Sequence, residues 1–266
     1  MKTLIRNTQL FFQSAYLSYV ALFHWLRPAQ YLATKVVNPL WQIMFFTLMG
    51  IYGSGGESAS FYVIGNALIL TALNGIFGVT FSITGERWTG TLPYLFGTPA
   101  NRLTLFLGRS LIHIFDGMIG VVIGLTWGVL LLNLDLSQTN LLELLLIIFI
   151  TSISTTGLGL ALGSLSLVTR NVMFVNNTAY FILLILSGAN IAVEKLPAFI
   201  QRISYSLPLT RGIYSARAVV SGIPLSELLP LLGTELAIGM IYAILGYFLF
   251  TAFEYQAKKQ GTLEVI

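Results

Sequence analysis

Residues 141–168 read LLELLLIIFITSISTTGLGLALGSLSLV, and this stretch contains a single charged side chain, Glu143. The hydrocarbon core of a bilayer is about 30 Å thick and requires about 20 apolar residues per helix. The stretch is therefore long enough to span a membrane. The whole chain agrees with this, because 56% of its 266 residues are hydrophobic and only 9% are charged. These values predict an all-α integral membrane protein.

Five further apolar stretches pass the same length test. Together they predict six transmembrane helices, near residues 35–53, 60–84, 104–133, 141–168, 172–193 and 228–253. Short polar turns separate several of them, as at Gly53-Ser54-Gly55-Gly56. The chain contains no repeat of fixed period and no low-complexity tract, so we expect one transmembrane domain over residues 1–266.

The basic residues indicate the orientation. With the N-terminus inside, one side carries Lys2, Arg6, Arg27, Lys35, Arg87, Arg102, Arg109, Arg170, Lys258 and Lys259, and the other carries Lys195, Arg202, Arg211 and Arg217. This distribution obeys the positive-inside bias and predicts that both termini are cytoplasmic. The excess of 14 basic over 10 acidic residues is therefore no sign of nucleic-acid binding, and the absence of cysteine excludes disulfides and thiolate metal sites.

Residues 1–34 allow two interpretations. The segment from Leu10 to Leu26 is apolar, but Gln13 and two serines interrupt it and Arg27-Pro28 ends it. Its tyrosines and Trp25 suit the headgroup level of a membrane. We therefore expect a helix lying in the cytoplasmic interface rather than a seventh span.

Residues 85–109, GERWTGTLPYLFGTPANRLTLFLGR, interrupt the apolar pattern between two spans. Thr91-Leu92-Pro93 is typical of a helix start, and Gly97 can end the helix. A short cytoplasmic helix follows from this. This helix either only connects the two spans or docks in a groove of a partner protein, with the charged residues Glu86 and Arg87 just before it.

These residues resemble the first cytoplasmic loop of the ATP-binding-cassette type-2 permease family. The loop motifs are Glu86, Gly90-Thr91-Leu92, Thr98-Pro99, Arg102 and Gly108-Arg109. Two other stretches extend the resemblance over most of the chain: Arg27-Pro28 to Pro39-Leu40, similar to the family's interfacial connecting helix, and Leu207-Pro208-Leu209-Thr210 with Arg217 and Gly222, similar to its connection before the last span. Pro93 departs from the family pattern.

The resemblance implies that residues 86–99 form a coupling helix that seats in a separate nucleotide-binding ATPase subunit. The residues implied in this contact are Glu86, Arg87, Gly90, Thr91, Leu92, Thr98, Pro99 and Arg102. The sequence has no G-x-x-x-x-G-K-[ST] motif to cradle ATP phosphates. We therefore expect no enzyme activity and no cofactor in this chain, with ATP and Mg²⁺ bound by the partner. The resemblance also implies a second permease chain, as a homodimer or heterodimer, and a bacterial cytoplasmic membrane.

Small residues in the third and fourth predicted spans favour close helix packing. They are Gly120, Gly124 and Gly128 in the third span and Gly159 and Gly163 in the fourth, all at four-residue steps. Arg109, His113 and Asp116 share the face of the third span with its glycines. An unpaired carboxylate is costly in lipid, so Asp116 either pairs with His113 or Arg109 or serves cargo or protons; Glu235 allows the same two interpretations.

Neutral amides lie in the second and fifth predicted spans. They are Asn66, Asn74, Asn176, Asn177 and Asn190. In the resembled family these spans line the substrate path at the dimer interface, which makes Asn66, Asn74, Asp116, Asn176 and Asn177 candidate path residues; helix–helix contact is the alternative. The surrounding Phe and Leu favour an amphiphilic or hydrophobic cargo. With two histidines in the chain, we expect neither a metal site nor catalytic residues.

The connection from Glu194 to Pro224 is too polar to span and too long for a turn. Leu196, Phe199, Ile200, Ile203 and Leu207 recur at helical steps, which predicts an external amphipathic helix. The sequence as a whole favours the membrane subunit of an ATP-driven exporter working by alternating access. A secondary transporter and a non-transporting scaffold or sensor are the alternatives.

Overall fold

A computed structural model describes residues 2–25, 28–54, 58–98, 101–169 and 171–260. These residues form helices, turns and loops, with no β-strand among them. The α-helices are α1 (Lys2–Trp25), α2 (Pro28–Leu32), α3 (Asn38–Ser54), α4 (Ala59–Leu73), α5 (Val79–Trp88), α6 (Leu92–Gly97), α7 (Arg102–Leu132), α8 (Leu141–Leu165), α9 (Val172–Leu186), α10 (Ala198–Ser206), α11 (Thr210–Val220) and α12 (Leu225–Gln260).

Five helical segments of the described chain are long and apolar enough to cross a membrane. They are Ala29–Gly53, Ala59–Trp88, Leu107–Leu132, Leu141–Leu165 and Leu225–Gln256. The predicted class, an α-helical integral membrane protein, is confirmed. The fifth predicted span, 172–193, corresponds to α9, which has 15 residues and ends at Leu186. At 1.5 Å per residue it is about 22 Å long, less than the hydrocarbon core, so its crossing stays a prediction.

The long helices begin at polar side chains that accept backbone N–H groups. Asn101 accepts from Thr104 N at 3.2 Å at the start of α7, and Asn140 accepts from Leu142 N at 3.1 Å at the start of α8. Asn171 accepts from Phe174 N at 3.1 Å at the start of α9. Each amide satisfies one N–H that the helix itself cannot satisfy. The polar residues between the apolar runs therefore define where the spans start.

Two π-helical turns interrupt the spans, at Ala33–Val37 and Asn74–Gly78. The first joins α2 to α3, and the second joins α4 to α5 within one 30-residue helical segment. A π-helical turn holds an extra residue and often marks a functional position. Each turn here carries one polar side chain, Lys35 or Asn74, to the same place on α7.

Helix α8 forms the centre of the bundle and is largely buried among its neighbours. It packs along α12 without intervening side chains, since a Cβ on Gly157 would lie 2.1 Å from Gly239 O. A Cβ on Gly246 would likewise lie 2.7 Å from Ala161 N. Apolar side chains of α4, α7, α8 and α11, including Leu68 and Ile147, complete the core.

The N-terminal helix α1 lies against α7, where a Cβ on Gly108 would lie 2.6 Å from Phe11 O. Ser14 is buried, whereas Phe12 and Tyr16 are exposed. Helix α1 is not among the candidate spans of the described chain. Its position in the membrane interface stays a prediction.

The amphipathic segment predicted before the last span consists of two helices, α10 and α11. They are separated at Leu207-Pro208, because proline disfavours a helical conformation in the residue before it. Leu209 follows with φ +87° and is fully buried.

Candidate functional site

The short helix predicted in the polar interruption is α6, Leu92–Gly97. Helix α5 ends in a tight turn in which Gly90 has φ +68° and Thr91 N donates to Glu86 O at 2.9 Å. The Thr91 hydroxyl, expected to cap α6, contacts the Glu86 carboxylate and lies 3.2 Å from Glu86 O. This turn connects α6 rigidly to the end of the second span.

Glu86 forms an ion pair within the chain. Arg109 Nη2 donates to Glu86 Oε1 at 2.6 Å, and Arg109 Nη1 donates to Ser82 O at 3.0 Å. Both side chains are largely shielded from solvent. Glu86 therefore joins the second span to α7 and is not a free charge for docking.

Arg87 also bonds within the chain. Its Nη1 donates to Ser166 O at 3.0 Å and to Thr169 O at 3.2 Å. These carbonyls lie just beyond the C-terminal end of α8, where helix carbonyls lack intrahelical partners. Arg87 thus joins the last turn of α5 to the end of α8, the central helix of the bundle.

The underside of α6 is anchored by Leu92, which is 2% exposed. Its side chain belongs to a small apolar cluster with Val79, Ile83, Leu160, Leu167 and Phe250. Exposed aromatic side chains lie on α6 and just before it, since Tyr94 is 79% exposed and Trp88, the last residue of α5, is 57% exposed. Leu92 was expected to face a partner, but it faces the bundle because its apolar cluster lies there. Trp88 was missed, although it stands beside the predicted coupling residues in sequence.

The remaining predicted coupling residues are less informative. Thr98 is exposed, and Arg102 is the first residue of α7. Pro99 lies outside the described residues.

Asp116 forms a buried polar cluster at the two π-helical turns. The Lys35 ammonium contacts both Asp116 and Asn74, and the Tyr31 hydroxyl donates to Asp116 Oδ1 at 2.9 Å. The partner expected from sequence was His113 or Arg109. His113 Nε2 instead bonds Ser82 Oγ at 2.7 Å, and Arg109 bonds Glu86. Lys35 takes the place beside Asp116 because the first π-helical turn lies against α7.

The amides of the predicted substrate path differ in their surroundings. Asn66 Nδ2 donates to Asn190 Oδ1 at 2.8 Å and to Tyr62 O at 3.0 Å, so it joins α4 to the segment after α9. Asn74 belongs to the Lys35 cluster. Asn176 is fully buried and neither of its amide atoms has a hydrogen-bond partner in the described chain. Asn177 is exposed and donates to Met173 O at 2.9 Å.

The predicted packing glycines lie at helix crossings. The distances from a Cβ added at each glycine to the nearest atom show this. They are 2.0 Å for Gly159 (to Gly75 O), 2.3 Å for Gly128 (to Val63 Cγ1), 2.8 Å for Gly124 (to Ile43 Cδ1), 2.8 Å for Gly163 (to Ile83 Cδ1) and 3.1 Å for Gly120 (to Asn74 Nδ2). The tightest approach is between α8 and the second π-helical turn, where backbone meets backbone. The sequence interpretation missed Gly239 and Gly246 on α12, which are seven residues apart and do not form a four-residue series.

Glu235 is fully buried in α12 and has no cation in hydrogen-bond contact in the described chain. Its carboxylate accepts from Leu209 N and, at 3.3 Å, from Arg211 N. It therefore caps the N-terminal end of α11 from a neighbouring helix. This contact corresponds to the structural alternative that the sequence left open for Glu235.

The candidate spans and the buried polar contacts between them define an α-helical integral membrane protein. The chain belongs to the ABC-2 type transporter family, whose model matches residues 15–221. The matched region includes α6, the Lys35 cluster and α11.

Two curated relatives align with part of the chain. Both are named "Probable multidrug ABC transporter permease YbhS", one from Escherichia coli strain K12 and one from Escherichia coli O157:H7. Each is 26% identical over 158 residues, which is 57% of this chain and 40% of the relative. The alignment thus spans two fifths of the length of these relatives.

Proposed function

We propose that this chain is the membrane subunit of an ATP-driven exporter and that α6 is the element through which a separate ATPase subunit acts on it. The observation that carries the proposal is that α6 and the residues before it contact the bundle on one side and expose aromatic side chains on the other. Leu92, Glu86 and Arg87 attach its surroundings to the bundle, while Trp88 and Tyr94 are exposed. This arrangement favours a docking surface over a plain connector, because the exposed aromatic side chains lie next to contacts that fix the loop to α7 and α8.

The partner on this proposal is a nucleotide-binding subunit that binds ATP and Mg²⁺. Exposed aromatic side chains are frequent anchors of protein interfaces because they bury a large area at low entropic cost. When the ATPase subunits close on ATP, they displace α6. The ion pair between Glu86 and Arg109 transmits this displacement to the third span, and the hydrogen bonds of Arg87 transmit it to the end of α8.

The proposed complex contains a second permease chain, and the proposed cargo is amphiphilic or hydrophobic and leaves the cytoplasm by alternating access. The curated relatives carry the name of multidrug permeases, which supports this cargo class. Among the five candidate path residues, Asn176 and Asn177 remain for cargo. Asn66, Asn74 and Asp116 are engaged with other side chains of the chain.

Reconstitution with a candidate ATPase tests the proposal. The chain and the ATPase are co-purified, placed in proteoliposomes and assayed for ATP hydrolysis and for movement of a fluorescent amphiphilic drug. We expect ATP-dependent movement and a hydrolysis rate that changes when the chain is present. Movement driven by an ion gradient and indifferent to ATP would indicate a secondary transporter. A chain that binds the ATPase but moves no tested amphiphile and leaves hydrolysis unchanged would indicate a scaffold.

A further inference from the structure

Arg217 on α11 binds the backbone at the end of the bundle opposite α6. Its Nε and Nη2 donate to Phe61 O at 3.1 and 2.7 Å, Nη1 donates to Gly188 O at 2.8 Å, and Nη2 also donates to Ala189 O at 2.9 Å. The guanidinium carbon lies 3.5 Å from the centroid of the Phe61 ring. One side chain thus connects α11 to the start of the second span and to the segment that follows α9.

Gly65 on α4 leaves the space that this arginine occupies. A Cβ at position 65 would lie 2.5 Å from Arg217 Nη2 and 2.4 Å from Ala189 O. Any side chain at this position would displace the guanidinium or the backbone to which it bonds. The contact therefore depends on a glycine as well as on the arginine.

The other end of α11 is attached to a different part of the bundle. Glu235 on α12 accepts from the backbone of Leu209 and Arg211, and Ser154 Oγ on α8 donates to Glu235 O at 2.9 Å. Leu209 adopts φ +87°, which is uncommon for a residue with a side chain. A Cβ on Gly212 would lie 2.2 Å from Thr151 Oγ1 of α8. Helix α11 thus contacts α8 and α12 near its start, and α4 and the segment after α9 near its end.

The two attachments differ in how easily they separate. Glu235 is fully buried, and parting from α11 would leave its carboxylate without the N–H donors that satisfy it. Arg217 is only partly buried, so water can replace the carbonyl groups if it moves away. Breaking the Arg217 contact therefore costs less than breaking the Glu235 contact, and α11 is held more firmly to α8 and α12 than to Phe61 and the segment after α9.

We propose that Arg217, Gly65 and the carbonyl groups of Phe61, Gly188 and Ala189 form a latch that closes the external end of the transport path and opens in the outward-facing state. The direction of opening rests on the function proposed above. Arg217 acts as a positioning residue for α11 and does not itself contact cargo.

A single cysteine reports on the latch, because the native chain contains none. Ser187 lies beside Gly188, is fully buried and differs from cysteine by one atom, so Ser187→Cys is the reporter. Labelling by a membrane-impermeant maleimide is compared in Arg217→Ala, Arg217→Lys and Gly65→Ala. The matched controls are Arg202→Ala, an exposed arginine on α10, and Gly53→Ala, which has no atom within 4 Å of the added Cβ. Size-exclusion profiles confirm that each chain is folded.

Labelling should rise about tenfold or more in Arg217→Ala and Gly65→Ala, because minor conformers are commonly populated at roughly 0.1–10%. Arg217→Lys should give an intermediate rate, and both controls should match the reporter alone. Unchanged labelling in folded Arg217→Ala and Gly65→Ala chains, or an equal rise in the controls, would overturn the latch.

A second arm separates the latch from the proposed function. With the ATPase partner and ATP trapped by vanadate, labelling of the otherwise native reporter should rise to the level of Arg217→Ala. ATP-driven transport without any such rise would overturn the opening step and leave the exporter assignment intact. Absence of ATP-dependent transport would overturn the exporter assignment, while the variant series would still decide whether Arg217 holds the external end closed.

Discussion

At the scale of single residues, several charged side chains inside the bundle bond to other groups of the same chain. Glu86 pairs with Arg109, Asp116 pairs with Lys35, and Arg217 bonds carbonyl groups. Uncompensated charges are costly in a low-dielectric medium, so removing one member of a buried pair costs more than removing both. The behaviour of single and double variants is therefore the most direct test of these contacts.

Lys35→Met should destabilise the protein by about 3 kcal/mol, since Asp116 would remain buried without a cation. The double variant Lys35→Met with Asp116→Asn should recover a large part of that loss, because no uncompensated charge remains. Thermal unfolding in detergent measures both. If the stability loss of the double variant equals the sum of the losses caused by the two substitutions separately, Lys35 and Asp116 do not stabilise each other and the pairing is contradicted.

Glu86→Gln should uncouple ATP hydrolysis from transport while leaving the ATPase bound, because the ion pair to Arg109 is lost and the exposed face of α6 is unchanged. The partly shielded pair contributes about 1 kcal/mol to stability, so the protein should remain folded. Hydrolysis and transport rates of the reconstituted complex measure the effect. Loss of ATPase binding in this variant would show that Glu86 docks the partner.

Tyr94→Ala and Trp88→Ala should have the opposite effect, weakening ATPase binding by about 1–3 kcal/mol each while the chain alone remains folded. Surface titration of the partner onto immobilised chain measures the affinity. The matched control is Tyr52→Ala, because Tyr52 is exposed at the end of α3, beside the start of the second span and at the opposite end of that span from α6. If all three variants bind the ATPase equally well, Trp88 and Tyr94 do not contribute to the interface.

At the scale of helices, close backbone contact sets the arrangement. Gly157 and Gly239 let α8 and α12 meet, and Gly159 faces the π-helical turn at Gly75. In lipid, helix association relies on such packing and on interhelical hydrogen bonds, because the hydrophobic effect does not distinguish a neighbour from a lipid tail. Small residues at these positions therefore control stability more than the large apolar residues do.

Gly157→Ala should destabilise the protein by about 2 kcal/mol, since the added methyl group would have to displace the backbone of α12. Gly233→Ala on α12 is the control, because no atom lies within 4 Å of its added Cβ. Unfolding temperatures of the two variants in the same detergent should differ clearly. A neutral Gly157→Ala variant would contradict the tight α8–α12 contact.

Length and apolarity predicted the membrane class and the long helices, and the cap and turn residues Thr91-Leu92-Pro93 and Gly97 predicted the short helix α6, because these features depend on local sequence. The end of α9 at Leu186 was not predictable by hydropathy, since the following segment remains apolar through Val193 while Gly188 turns the chain at φ +86°. The π-helical turns leave no hydropathy signal. Pairs such as Lys35 and Asp116, 81 positions apart, depend on which helices become neighbours.

At the scale of the whole molecule, the second span and its π-helical turn join two sites. One end bears α6 with its exposed aromatic pair, and the other end bears the Arg217 contact at Phe61. The segment Ala59–Trp88 is 30 residues long, or about 45 Å. A single continuous helical segment thus runs from the proposed entry of ATP energy to the proposed exit of cargo.

The most direct test of this account is ATP-dependent transport in proteoliposomes containing the chain and its ATPase, compared between the native chain and Trp88→Ala/Tyr94→Ala. The account predicts transport that requires ATP and is lost in the double variant, although that chain still folds and inserts. Transport that continues without ATP, or at the native rate in the double variant, would contradict it.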